Sequence, residues 1–203
     1  DVLGGVTADT HLANVELARS VARPCEARVG ITARRFSFDD GTNADSVALA
    51  PGWSQAIGET LSFSFSGGPR FASHGYDGAE GAAVLHWTEG ASGAALGYTR
   101  GLATVAGRRE VFVTDAAYLV LGHGVGDDWL FSGTANGGLV EGSLFSAGVV
   151  RGEASVGYRR WRRAVVSAGV SALRQRQHVD GHVSDLHDEI VFLRLSLGTG
   201  GAL

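Results

Sequence analysis

The sequence predicts an all-β protein built from short antiparallel strands, and three observations lead to that prediction. Apolar residues recur at every second position along most of the 203 residues, as they do in a strand with one covered face. Turn-like breaks interrupt this alternation at regular intervals. No apolar run approaches the roughly 20 residues that a membrane-spanning helix requires. The pattern therefore favours an antiparallel up-and-down sheet in a single domain over residues 1–203.

The alternation is clearest in four segments of the chain. In residues 61–66, Leu61, Phe63 and Phe65 alternate with serines. The same period of two runs through residues 27–34, 150–159 and 191–197, where arginine or glutamate stands on the polar side. Weaker copies lie in residues 12–20, 46–54, 82–88, 93–100, 129–136 and 165–174. Residues 111–123 are apolar on both faces and bring the number of visible strands to about eleven.

The breaks between these segments alternate in length. The tight turns are expected at residues 23–25, 56–59, 89–92, 126–128 and 160–163. The longer polar connections are expected at residues 39–44, 72–80, 101–110, 137–143 and 175–188. This arrangement is typical of a meander with tight turns at one end and longer loops at the other.

The chain length favours about twelve strands if the sheet closes across a membrane. An apolar band ~25 Å tall needs about 10 residues per tilted strand. Twelve strands would use roughly 120 residues and leave roughly 7 for each connection. A closed antiparallel barrel with both ends on one side needs an even number. Residues 2–8 are therefore expected to supply a short first strand; the alternative is a chain that has lost one.

Three features favour a transmembrane β-barrel over a soluble sheet. The polar face is mostly serine, glycine, threonine and alanine, and all 17 basic residues are arginine, whereas lysine commonly protects soluble sheet edges. Closure is also the simplest way for so many strands to avoid free edges. Aromatic residues fall near strand ends, where girdles form at membrane interfaces: Trp53, Phe71, Trp87, Tyr98, Trp129, Tyr158 and Trp161.

The repeated hairpin pattern carries a family resemblance. In one example, residues 157–160 lead into a tight turn and then into the alternating residues 165–170. In this respect the whole chain resembles bacterial outer-membrane β-barrel proteins of the porin-like class. The resemblance implies a location in the bacterial outer membrane, contact with its lipids and possible partner proteins of the envelope. The chain departs from the class after its last strand, where residues 198–203 lack the usual terminal aromatic residue.

Charged residues on the polar face are the candidate functional residues. Inside a barrel they would line the lumen, where they could set the ion selectivity of a pore. They could equally pair across the lumen and fill it. The candidate lumen-lining residues are Glu16, Arg28, Arg34, Arg151, Glu153, Arg159 and Arg194.

Other candidate chemistry is weaker. His178, His182 and His187 stand among carboxylates and are candidate ligands for a divalent metal, but their spacing is not standard and a solvated loop is the better explanation. Ser73, His74 and Asp77 form a conceivable catalytic set, but nothing else indicates an oxyanion hole. We therefore expect neither enzymatic activity nor a cofactor.

Composition excludes two further classes. The net charge of −4 and the scattered arginines leave no basic stripe for nucleic acid. The lone Cys25 can form neither an internal disulfide nor a four-ligand zinc site. Three hypotheses for function remain: a porin-like passive channel for small solutes or ions, a structural or docking barrel within a cell-envelope complex, and a soluble all-β binding module.

Overall fold

The protein is an eleven-stranded sheet in the part of the chain that the structure describes. The computed structural model describes residues 8–22, 24–104, 110–142, 145–161, 164–179 and 182–197. A short 3₁₀ turn at Ser73–Gly75 is the helical element among them. The strands are β1 (Ala8–Ala22), β2 (Cys25–Phe38), β3 (Asn43–Ile57), β4 (Leu61–Ala72), β5 (Gly78–Glu89), β6 (Ser92–Thr104), β7 (Val111–Val125), β8 (Trp129–Glu141), β9 (Phe145–Trp161), β10 (Ala164–Val179) and β11 (His182–Leu197).

Each strand pairs with its neighbours in the chain, in the order β1 to β11, and every pairing is antiparallel. The predicted all-β, up-and-down antiparallel sheet is therefore confirmed. The eleven alternating segments seen in the sequence each fall inside one of these strands.

The expected closure is not present, because β1 pairs with β2 alone and β11 with β10 alone among the described residues. Both edge strands run in the same direction, since each is an odd member of an antiparallel series. A short first strand was expected from residues 2–8, of which residues 2–7 lie outside the described residues. Ala8 begins β1, which continues to Ala22.

The connections differ in length less than the sequence indicates. Three of the tight turns contain Gly58, Gly90 and Gly126 at φ values of 67°, 57° and 61°, a left-handed conformation that glycine adopts without a steric penalty. The prediction of long loops at residues 137–143 and 175–188 was largely wrong. Strands continue through Glu141 and Val179, and β11 resumes at His182, because backbone pairing proceeds whether a strand's side chains are polar or apolar.

The side chains on the two faces of the sheet differ in size and polarity. We call the face that carries Val47 and Leu49 the apolar face, and the face that carries Ser46 and Ala48 the polar face. Val47 and Leu49 are exposed, whereas Ser46 and Ala48 are buried. Most exposed large hydrophobic side chains lie on the apolar face, up to Val191 at 84% exposure. Burial is thus inverted relative to a soluble sheet, whose apolar face is the covered one.

The sheet curls strongly toward the polar face. Phe36 of β2 and Val111 of β7 belong to one buried cluster with Phe38 and Ala44. Five strand spacings separate β2 from β7, a distance of about 24 Å in a flat sheet. Contact between them therefore requires that the sheet wrap around its small, polar side chains.

A second buried cluster lies at the same end of the sheet, beside the loops at residues 39–42 and 73–77. It joins Phe112 of β7 to Phe145 and Ala147 of β9. The rings of Phe112 and Phe145 meet edge to face, with centroids 5.4 Å apart. We call this the loop end and the opposite one the turn end. The interior of the curled sheet is thus filled by apolar side chains at its loop end.

The β3–β4 pairing is interrupted at a glycine pair. The described ladder pairs Ala48 with Arg70 and Gly52 with Ser66, and it skips the residues between. A Cβ atom at Gly68 would overlap the carbonyl oxygen of Leu49. Glycine at this position therefore permits a close backbone approach that a side chain would prevent.

We predict that Gly68→Ala destabilises the protein by about 2 kcal/mol or more, because the backbone must move to accommodate the methyl group. Gly122→Ala is the matched control, since a Cβ there would meet nothing within 4 Å. Urea unfolding followed by tryptophan fluorescence measures both. Equal stability of the two variants would contradict the close approach.

Candidate functional site

The polar face encloses a cavity of about 340 Å³. Its lining combines charged residues with serine, threonine, glycine and alanine: Asn14, Glu16, Arg28, Gly30, Thr32, Arg34, Ala50, Ser66, Glu80, Gly81, Ala82, Thr99, Arg100, Gly101 and Thr114. The residues come from β1 to β7, so the curl of the sheet creates the cavity. A polar space of this kind can hold water or a small polar molecule.

An ion pair crosses this cavity from β2 to β5. Arg34 Nη1 donates to both carboxylate oxygens of Glu80, at 2.9 and 2.8 Å. The two side chains are 19% and 9% exposed, and the strands that carry them are separated by β3 and β4. Because the pair is largely shielded from water, removing either partner would leave a charge in an unfavourable environment.

Arg70 lies beside this pair and is 2% exposed. Its Nε donates to the backbone oxygen of Tyr76 at 3.0 Å. A Cβ at Gly78 would lie 3.1 Å from Arg70 Nη2, so the glycine makes room for the guanidinium. Arg70 Nη1 is buried and has no hydrogen-bond partner among the described residues. Burial raises the pKa of the nearby Tyr76 hydroxyl, and the carboxylate of Glu110 adds to that effect.

A second charged cluster lies on the polar face, near the other edge of the sheet. Glu153 of β9 is 3.6 Å from Arg151 and 3.8 Å from Arg194 of β11. The Arg194 guanidinium also stacks over Phe192, 4.9 Å from the ring centroid. One carboxylate therefore faces two guanidinium groups, and at these distances the contacts are electrostatic rather than hydrogen-bonded.

The seven predicted residues are thus distributed over three places. Glu16, Arg28 and Arg34 line the cavity, and Arg151, Glu153 and Arg194 form the second cluster. Arg159 is exposed beside the turn end, where its backbone nitrogen donates to the carbonyl of Asp128. Arg70 and Glu80 were missed. The alternation of serines in residues 62–66 continues in phase to Arg70, so extending the period of two would have found it.

The three candidate metal ligands do not converge. Val179 packs against the cluster of Phe112 and Phe145, and it is the register partner of His182. His178, next to Val179, therefore takes the opposite face. His187 lies further along β11 opposite Arg174 and contacts Glu189 at 3.1 Å. The part of the chain that the structure describes holds no group of three or more residues able to bind a metal.

The serine and aspartate of the conceivable catalytic set accept hydrogen bonds from backbone nitrogens of β3 and β4. Ser73 Oγ accepts a hydrogen bond from the Asp45 nitrogen at 2.9 Å. Asp77 Oδ1 accepts one from the Ala72 nitrogen at 2.7 Å. The side chain of His74 lies outside the described residues. Both described groups therefore stabilise the β4–β5 connection.

The apolar face carries an aromatic group near the turn end. Trp53, Trp87 and Trp129 all lie on this face, each close to the turn-end limit of its strand. The ring of Trp129 lies 4.9 Å from that of Tyr158. Phe71 lies at the loop end and Tyr98 lies near the middle of β6. The Trp161 side chain is not among those that the structure describes. Four of the seven predicted aromatic residues, Trp53, Trp87, Trp129 and Tyr158, therefore form one band at the turn end.

A hydrogen-bonded charge pair lies near the middle of the apolar face, and sequence reasoning missed it. Arg100 Nη1 donates to both oxygens of Asp115, at 3.0 and 2.8 Å. The hydroxyl of Tyr98 donates to the same carboxylate. Arg100 and Asp115 are register partners on β6 and β7, so the two side chains neutralise each other's charge on the apolar face.

Comparison with known proteins identifies no relative. No protein-family model matches the chain, and neither a curated protein nor a solved structure is significantly similar to it. In the described residues, no helix is long and apolar enough to cross a membrane.

We predict that Glu80→Gln destabilises the protein by about 3 kcal/mol, because it leaves the shielded Arg34 without its counter-charge. Arg34→Gln should have a similar effect, and the double variant should lose less than the sum of the two. Urea unfolding of the four proteins measures this coupling.

The control for this double-mutant cycle is the ion pair between Arg35 and Asp45 on the apolar face. The side chains of that pair are 60% and 55% exposed. Neutralising that pair should change stability little, because solvent screens it. Additive effects of Arg34→Gln and Glu80→Gln would contradict the importance of the buried pair.

Proposed function

We propose that this chain forms a β-barrel in the bacterial outer membrane and that its polar interior is a narrow passage for small solutes or ions. The observation that carries the proposal is the cavity lined by Arg28, Arg34, Glu16 and Glu80 on the face opposite the exposed apolar surface. Charged groups in a confined polar space are what selects ions in a pore.

The apolar face supports a lipid environment. Monomeric soluble proteins rarely expose a contiguous apolar patch beyond about 300–600 Å². Here large hydrophobic side chains are exposed along all eleven strands, including Leu17, Leu96, Phe131 and Leu193. Outer-membrane lipids are therefore the proposed partner of this face, and the aromatic band at the turn end matches a membrane interface. A soluble binding module would have to cover the same surface in another way.

Closure of the edges is part of the proposal. Free backbone groups on β1 and β11 would be costly in hydrocarbon, where no water can satisfy them. Insertion therefore requires that both edge strands be paired along their length. Because β1 and β11 run in the same direction, direct pairing between them would be parallel, and an intervening strand would be antiparallel to both.

A structural or docking barrel in an envelope complex is the second candidate, and the apolar clusters at the loop end favour it. Phe36 and Phe112 are 2% and 0% exposed, so they occlude the interior at that end. In a channel these clusters would act as a hydrophobic constriction. In a structural barrel they would simply form its core.

Planar-bilayer recording of the purified protein separates these two candidates. We expect small conductance steps from the native protein and larger ones from Phe112→Ala, because truncation opens the constriction at the loop end. Phe71→Ala, on the apolar face, is the control and should conduct as the native protein does. Silence of both the native protein and Phe112→Ala, with folding verified by heat-modifiable migration on gels, would reject the passage and favour the structural barrel.

Membrane insertion is tested by two adjacent substitutions in β4. Phe65→Arg places a charge on the apolar face and should cost about 2–4 kcal/mol of folding free energy in lipid vesicles. Ser64→Arg places it on the polar face, where water or counter-charges can meet it, and should have a much smaller effect. Equal losses, measured by urea unfolding in vesicles, would argue against a lipid-facing apolar surface.

A further inference from the structure

Arg28 is the arginine of the cavity whose charge is least satisfied. Its Nη1 atom lies 4.0 Å from Glu16 Oε1, which is beyond hydrogen-bond distance. Its Nε atom is buried and has no hydrogen-bond partner among the described residues. Arg34, by contrast, makes two short hydrogen bonds with Glu80. The guanidinium of Arg28 therefore retains donors that a further acceptor could use.

The stem of Arg28 is held in position by a glycine on the neighbouring strand. Arg28 and Gly52 are register partners on β2 and β3. A Cβ at Gly52 would lie 3.0 Å from Arg28 Cγ, so the side chain crosses the space that the glycine leaves open. This packing restricts the stem while its guanidinium lines the cavity.

The carboxylates that line the cavity leave Arg28 only loosely paired. Glu80 is engaged by its short contacts with Arg34, so Glu16 is the lining carboxylate that remains for Arg28. Glu16 is about half exposed, and its looser contact with Arg28 is the interaction that a ligand would displace. Hydroxyl groups of Ser66 and Thr99 also line the space.

We propose that Arg28 is the centre of a binding site for a small monocarboxylate anion. A planar guanidinium matches a carboxylate in geometry and charge. A dianion would be repelled by Glu16 and Glu80, which border the same cavity. The volume of about 340 Å³ admits a small anion together with water. This binding goes beyond the proposed passage and holds whether or not the interior conducts.

The test uses protein labelled with ¹⁵N-arginine, refolded in detergent micelles and titrated with sodium acetate. In NMR spectra of the native protein, the Nε–H signals of Arg28 and Arg34 both report on the cavity. The Arg34 signal is present in all the variants, including Arg28→Gln, which lacks the Arg28 signal. We expect saturable shifts of both signals with acetate and weaker binding of sulfate at equal ionic strength. Absence of a saturable acetate shift, or tighter binding of sulfate, would overturn the site.

Three variants identify the residue responsible. Arg28→Gln should weaken acetate binding by about tenfold or more, as expected for the loss of a charged hydrogen-bond donor. Glu16→Gln should strengthen it, since it removes the competing carboxylate. Arg19→Gln, an exposed arginine on the apolar face of β1, should leave it unchanged. Retention of native affinity in Arg28→Gln, or weaker binding in Glu16→Gln, would contradict the proposal.

Discussion

The structure depends on a difference in side-chain size between the two faces of one continuous sheet. Small residues such as Ser46, Ala48 and Gly52 occupy the polar face, while Val47, Leu49 and Trp53 occupy the other. A sheet can bend toward a face whose side chains are small, because the strands there approach without collision. The curl, the cavity and the contact between β2 and β7 all follow from this asymmetry.

The curl also determines where polar groups must find partners. Strands distant in sequence bring their inward charges together, as Arg34 and Glu80 show. Such a pair is satisfied only in the curled sheet, so it couples the position of β2 to that of β5. Arg70 and Arg28 lie in the same region without complete pairing. The interior is therefore partly neutralised and partly open to an additional acceptor, a state that a fully paired core would not offer.

The side chains that fill the interior of the curled sheet change in character from the loop end toward the turn end. Phe36, Val111, Phe112 and Phe145 pack at the loop end, whereas charged and hydroxyl side chains occupy the cavity. The apolar end supplies the cohesion that the small side chains elsewhere on the polar face cannot. Along the axis of the curled sheet, a polar cavity therefore adjoins an apolar end.

The sequence by itself determined the local structure. The period of two in residues 27–34 or 150–159 fixes the strands and the face of each residue, because successive side chains must point to opposite sides. The same period assigned seven charged residues to one face and could have added Arg70 and Glu80: Glu16, Arg28, Arg34, Arg151, Glu153, Arg159 and Arg194. Loop lengths were harder to predict, since polar residues such as His178 or Asp185 occur in paired strands as well as in loops.

Only the tertiary structure decided which inward residues meet. Arg34 and Glu80 are 46 residues apart, and their contact depends on the curvature of the strands between them. The same holds for Phe36 and Val111, which approach because the sheet wraps. The unpaired edges of β1 and β11 are likewise a property of the whole sheet. Alternation specifies a direction for each side chain, but curvature is the sum of many small inter-strand rotations, and no single segment of sequence determines that sum.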